Sequence, residues 1–387
     1  MKTISTLLLV LLCFISYTQQ LPILTCTSSA EDINSNYSKA KAFQSLLEEL
    51  TQLGVPGSAM AIYSPEGWWT GSTGYAKIED KTLMQTCHLM HLQSVAKTYM
   101  AVSILKLKEE GKIDLDLPIT NYLPAKFSKY IPSPEKITVK MILNHTSGIP
   151  EYNFSPTFVA LVLQHPTHHF EAEDYLNYIH GKPLDFEPGS KYSYRNTNYV
   201  LLSLIADAIT GDHARYIREN IFKPLGLTQT FYRGSEGYIN YPHLVNSYWD
   251  RHSDGIIENV SVLQNSSVAS CVGDDGIVAT PLEAVKFLKG LMEGKILSAA
   301  SLEEMKTWVN GKDGNPTYGQ GLDHATFVGH TGYGHSGGGV GAGCQLYYFP
   351  EKNIYLFVGV NLGTLTESPL HQAVEKVIDR IYTTLFE

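Results

Sequence analysis

Strand-forming segments lie at the two ends of this chain and are scarce across its middle, residues 112 to 265, which limits the fold more than any other feature. Near the start, SAMAIYS (58–64) and WWTGSTGYA (68–76), separated by a Pro-Glu-Gly turn, read as a hairpin. Near the end, CQLYYF (344–349) and IYLFVGV (354–360) flank the turn Pro350-Glu351-Lys352-Asn353. The middle is rich in proline and carries helical patterns at 138–145, 171–180, 198–210 and 213–222. Further helices are expected over 38–53, from Ser94 to about Gly111, near 281–293 and over 369–385. The pattern predicts an α/β lobe assembled from both ends, residues 33–111 and 266–387, with a mostly helical lobe of residues 112–265 inserted between them.

At 387 residues the chain is too long for one simple core, and 43% hydrophobic with 17% charged residues describes a folded protein. The first residues, MKTISTLLLVLLCFISYTQQ, have the outline of a secretory signal peptide, residues 1–18. Their apolar run, Leu7 to Ile15, is too short for a permanent membrane span, so a secreted or periplasmic protein is expected. A formal net charge of −9 argues against nucleic acid or an anionic bilayer as partner. Beyond residue 18 stand Cys26, Cys87, Cys271 and Cys344, without CxxC or zinc-like spacing. Buried thiols are the first expectation, and one bridge is possible in an oxidising compartment. His165, His168 and His169 read as a surface loop, and Asp274-Asp275 as a turn before Gly276. No metal or cofactor is called for.

Three constellations carry chemistry. In HLQSVAKTYMAVSILKLKEEGK, Ser94 falls at a helix start with Lys97 about one turn on, so hydroxyl and amine share a face. A buried lysine, its charged form disfavoured, can take the serine proton, and free N–H groups at a helix start suit an acyl-transfer oxyanion. Ser-x-x-Lys occurs four times in the chain, so the helix start is what separates Ser94 from the others. Second, Tyr194 and Asn196 flank Arg195 in an irregular stretch, where alternate residues point to one side. A tyrosine can relay a proton and an asparagine amide can hold a carbonyl. Third, GHSGGGVGAG (334–343) allows close backbone approach to a ligand and presents His335, with His330 as the other histidine candidate.

In this order the three resemble the motifs Ser-x-x-Lys, Tyr-x-Asn and His-x-Gly of the serine β-lactamase and penicillin-binding-protein-like superfamily, in its class C-like branch. GVPGSAMAI (54–62), EEGKIDLDLPITNYLP (109–124), ILNHTSGIP (142–150) and GDDGIVATPLEAVKFL (273–288) extend the resemblance. It implies an α+β fold, an antiparallel sheet flanked by helices beside an all-helical lobe, with the site between them. It implies that Ser94 is the acylated nucleophile, Lys97 its base, Tyr194 the proton shuttle to the leaving group and Asn196 a positioner of substrate and lysine. His335 takes the place of the third-motif lysine. The N–H groups of Ser94 and Gly338 form the oxyanion hole, and Gln93, Ser336 and Gly337 contact substrate. Arg195 and His335 depart from the usual class C residues, which counts against efficient β-lactam hydrolysis. The expected reaction is acyl-enzyme hydrolysis of a small-molecule or peptide amide or ester, D-alanyl-D-alanine carboxypeptidase-like or β-lactamase-related. The alternatives are a carboxylesterase or D-aminopeptidase and, in another class, a non-catalytic binder of cell-wall fragments. Oligomeric state is left open.

Overall fold

The computed structural model describes residues 33–232, 243–266 and 273–387; the expected signal segment, Cys26 and Cys271 lie outside them. Its centre is one antiparallel sheet of nine strands: β1 (Gly57–Ser64), β2 (Gly67–Lys77), β3 (Thr82–Leu83), β4 (Val309–Asn310), β5 (Pro316–Tyr318), β6 (Asp323–Phe327), β7 (His330–Gly338), β8 (Gly343–Phe349) and β9 (Ile354–Val360). The spatial order is β3-β2-β1-β9-β8-β7-β6-β5-β4, so the first and last long strands are neighbours, in register from Ser58 opposite Val360 to Tyr63 opposite Tyr355.

Both faces of the sheet are covered, which the period-two alternation of strand side chains makes possible. Met60, Ile62, Leu356 and Val358 share a cluster with Phe43 and Leu47 of α1 (Ala40–Leu53). Ile381 and Tyr382 of the closing helix, Pro369–Phe386, complete that cluster. Ala59, Ala61, Leu346 and Phe357 belong to the opposite cluster, with Met100 of α2 (Ala96–Glu109) and Phe287 of the helix Pro281–Met292. Tyr99 of α2 stacks on Phe287 with ring centroids 3.5 Å apart. Nearly every side chain of α2 from Ala96 to Leu107 is buried, the polar Lys97, Thr98 and Ser103 among them, so the helix is enclosed on all sides. The end of this central helix is where Ser94 sits.

Between α2 and the second half of the sheet come the helix Val139–Leu143, then α3 (Pro156–Gln164), the helix Ala172–Asn177, α4 (Asn196–Thr210) and the helix His213–Ile217. The middle is not all-helical: Thr230–Tyr232 pairs with Ile277–Ala279, which also pairs with Met90–His91, and Tyr248–Trp249 pairs with Glu258–Asn259. These strands are two or three residues long, too short for an alternation to register in sequence. Strands β4 to β7 and helix α3 also went unforeseen. HTGYGHSGG reads as loop because glycine is depleted from strands, yet here its missing side chains let β7 lie against the turn that carries Ser94. Cys87 is disulfide-bonded, against the expectation of buried thiols, whereas Cys344 is a buried free thiol. Among the described residues no helix is long and apolar enough to cross a membrane.

A Cβ on Gly337 would stand 2.4 Å from the Leu92 carbonyl oxygen and 2.9 Å from the Gln93 Cβ. Gly337→Ala is therefore expected to force β7 away from the Ser94 turn, costing about 1–3 kcal/mol. A lowered midpoint of chemical denaturation would check this.

Candidate active site

Ser94 lies in a single 3₁₀ turn, Gln93–Val95, that leads directly into α2. Gln93 adopts φ of +49°, a left-handed conformation unusual for a residue with a side chain, while 2% exposed. Such strain persists only where surroundings over-determine it. Here the Gln93 amide donates to Gln264 Oε1 at 3.2 Å and packs where Gly339 leaves room. The bend sets Ser94 at the mouth of the turn with its hydroxyl toward Lys97.

Lys97 has no exposed surface; its Nζ lies 3.0 Å from Ser94 Oγ and donates to the Asp274 carbonyl at 2.7 Å. The lysine also stands 5.0 Å from the centre of the Tyr194 ring and 5.8 Å from that of Tyr199. Burial raises the Tyr194 phenol well above its ordinary pKa, and its contact with the Ser94 hydroxyl works the other way. The phenol therefore holds its proton at neutral pH beside both Ser94 and Lys97. Asn196 opens α4, its backbone N–H donating to the Glu151 carboxylate.

The cavity in front of Ser94 encloses about 410 Å³. Gln93, Ser94, Asn196, Asp274, Asp275, Gly338 and Gly339 form its polar end. Lys97, Tyr194 and His335 stand behind this wall. Ser336 and Gly337, expected to contact substrate, do not line the cavity: Gly337 is buried against Leu92, and the Ser336 N–H donates to Asp323 Oδ2 at 3.2 Å.

His335 differs most from what its motif position suggests. It is 2% exposed, with Nδ1 2.6 Å from the Ser336 carbonyl and Nε2 3.0 Å from the Tyr318 hydroxyl. A carbonyl only accepts, so Nδ1 carries the proton and Nε2 accepts from Tyr318. Burial, assisted by the Lys97 charge and opposed by Asp323, holds its pKa below the usual histidine value. The ring is neutral at pH 7 and offers no positive charge. His330 lies at the far end of β7, paired with Glu351 at 2.9 Å and stacked on Phe386.

Sequence reasoning did not single out three further groups. The Asp274 carbonyl, read only as part of a turn, holds Lys97, and its Oδ2 accepts from the Tyr152 hydroxyl at 2.9 Å. His145, at φ of +60°, is fully buried with its ring 4.4 Å from Tyr194 and 4.7 Å from Tyr318. Its Nδ1 accepts from the Arg195 N–H at 3.2 Å, which anchors the backbone immediately after Tyr194. Glu151 accepts from Asn196 and Thr197. Burial, together with the nearby Asp274 charge, pushes its pKa to about 7. His145 lies within the ILNHTSGIP stretch and Glu151 directly follows it, where no local spacing marks either residue as functional.

A serine hydroxyl held by a buried lysine, beside a protonated phenol and at a helix start, is the arrangement of a serine acyl-transfer hydrolase. The chain belongs to the beta-lactamase family, whose signature matches residues 41–375, and so to the serine β-lactamase and penicillin-binding-protein-like hydrolases. It is 26% identical over 281 residues to PbpX of Bacillus subtilis (strain 168), named as a penicillin-binding protein, covering 72% of this chain and 64% of that one. It is 26% identical over 361 residues to penicillin-binding protein 4* of the same organism, covering 89% of this chain and 76% of the relative. Among solved structures it resembles the D-amino acid amidase from Ochrobactrum anthropi SV3 complexed with L-phenylalanine amide. That likeness has a TM-score of 0.77 and 26% identity, over 89% of this chain and 97% of the amidase.

Glu151 makes a pH prediction. Its folded pKa, about 7, lies above the ordinary 4.5, so the folded state binds the extra proton between those values. Stability should fall as pH rises through that window, by on the order of 3 kcal/mol from this group alone. Glu151→Gln should flatten the dependence of unfolding free energy on pH between about 4.5 and 7, as chemical denaturation at stepped pH would reveal.

Proposed function

We propose that this protein hydrolyses amide or ester bonds through an acyl-enzyme on Ser94, and that its substrates carry no carboxylate next to the scissile bond. In this mechanism Lys97 reacts as the neutral amine: Ser94 Oγ attacks the carbonyl carbon while its proton passes to Lys97 Nζ across the 3.0 Å contact. The N–H groups of Ser94 and Gly338, both at the cavity wall, receive the oxyanion. Tyr194 gives its proton to the leaving group and regains one from Lys97; a water then attacks the ester, its proton taken up by Lys97 and passed to Ser94 Oγ as the acid departs, which restores the resting site. Asn196 orients the acyl carbonyl.

The observation that carries the substrate reading is the charge of the wall. Among the described residues lining the cavity there are two carboxylates, Asp274 and Asp275, and no lysine or arginine. The third-motif position is the neutral His335, and the Arg195 guanidinium is turned to Asp185 at 2.9 Å. A D-alanyl-D-alanine carboxypeptidase or a β-lactamase must accept a substrate carboxylate beside Ser94, where the cavity wall offers no lysine or arginine to receive it and Asp274 and Asp275 add a field of the same sign. An amide or ester whose other substituent is neutral or an ammonium group meets no such penalty. This favours the D-aminopeptidase or amidase and carboxylesterase readings over the carboxypeptidase, and the likeness to a D-amino acid amidase points the same way. The assembled Ser94, Lys97 and Tyr194 argue against a non-catalytic binder. Export through residues 1–18 belongs to this reading, supported by the disulfide at Cys87.

Hydrolysis of D-phenylalanine amide should exceed that of an acetylated D-alanyl-D-alanine dipeptide by roughly ten- to a hundredfold in kcat/KM. Both should vanish in Ser94→Ala. Equal or better turnover of the dipeptide would overturn the charge argument; full activity in Ser94→Ala would overturn the nucleophile.

A further inference from the structure

The cavity has a second half that the chemistry above does not use. Much of the remaining wall is apolar: Phe158, Val159, Val162 and Leu163 on α3, Phe154 just before that helix, and Leu365. Four of these are exposed large hydrophobics, Phe154 at 70%, Val159 at 43%, Leu163 at 38% and Leu365 at 61%. Leaving such side chains in water around one opening is unfavourable, and a cluster of them marks a place where apolar matter binds. The trough is continuous with the Ser94 end of the same cavity, so what fills it is covalently part of the substrate. The whole cavity, about 410 Å³, is within the range of pockets for drug-sized ligands and far beyond what a single methyl side chain fills.

The residue roles proposed above say which part of the substrate enters. Tyr194, on the leaving-group side of the mechanism, does not line the cavity, whereas Asn196, on the acyl side, does. Resting on the acyl-enzyme reading above, we infer that α3, Phe154 and Leu365 form a subsite for a long or bulky apolar acyl group, and that the protein selects lipophilic acyl esters or amides. Each fully buried methylene adds about fourfold to kcat/KM.

The test is kcat/KM for p-nitrophenyl acetate, butyrate, hexanoate and octanoate in detergent-free monomeric solution, for wild type, Ser94→Ala and the double variant Val159→Asn with Leu163→Asn. The two α3 positions are partly exposed, so the variant should fold, and circular dichroism verifies it. Expected is a wild-type octanoate-to-acetate ratio of roughly 60-fold, the worth of about three fully buried methylenes. The ratio should fall below roughly tenfold in the double variant. A flat wild-type profile with Ser94-dependent acetate hydrolysis would overturn the subsite and leave the acyl-enzyme standing. A steep profile unchanged in the double variant would overturn it too. Absence of Ser94-dependent hydrolysis of every ester would bring down the acyl-enzyme reading and the subsite with it. Sedimentation with neutral phosphatidylcholine vesicles, lost in the double variant while the ester profile is flat, would assign the rim to a membrane surface instead.

Discussion

A lysine side chain with no exposed surface cannot be left without polar neighbours, and at Lys97 these include the Ser94 hydroxyl and the carbonyl oxygen of Asp274. The site depends on this arrangement. The first neighbour comes from the turn that starts the central helix, and the second from a loop 177 residues away in sequence. The same loop leads through Gly276 into the strand Ile277–Ala279, which pairs with Met90–His91 just before the Ser94 turn. Holding the amine therefore fixes helix and loop to each other.

Around that lysine the protein keeps its titratable aromatic rings uncharged. His145 and His335 are buried and held neutral, and Tyr194, Tyr199 and Tyr318 keep their protons because burial penalises the phenolate. Hydrogen bonding then orients them: Tyr318 donates to His335, and Arg195 and Asn198 engage Nδ1 of His145. In the mechanism proposed above, this neutral aromatic layer leaves the lysine as the group that exchanges protons with the serine. At the cavity wall the ionisable side chains are the carboxylates of Asp274 and Asp275.

Much of this was legible in sequence where the relation is local. Ser94 and Lys97 are one turn apart on one helix, and Tyr194 and Asn196 flank one residue, so spacing alone brings each pair together. The two long hairpins and the main helices were legible because their apolar periods run for many residues. What stayed hidden is non-local or carried by the backbone. The Asp274 carbonyl has no side-chain signature, and the neutrality of His335 follows from its burial against Tyr318 and Ser336. The strand character of residues 330–338 arises from pairing with β6 and β8, against the preference of a glycine-rich segment. Helix α3 was missed because a nine-residue run this apolar shows no clear amphipathic period.

The adjacency of β1 and β9 bears on how the protein comes into being. A ribosome makes residues 57–64 almost three hundred residues before their hydrogen-bonding partner at 354–360. Until the far strand emerges, β1 has only its hairpin mate, and β7 and β8 have not arrived to close over the Ser94 turn. The helical middle can begin to collapse during synthesis, but the nucleophile acquires its surroundings only when nearly the whole polypeptide is out. Hydrolytic competence is thus tied to completion of the chain, and a truncated product carries the serine without the means to use it.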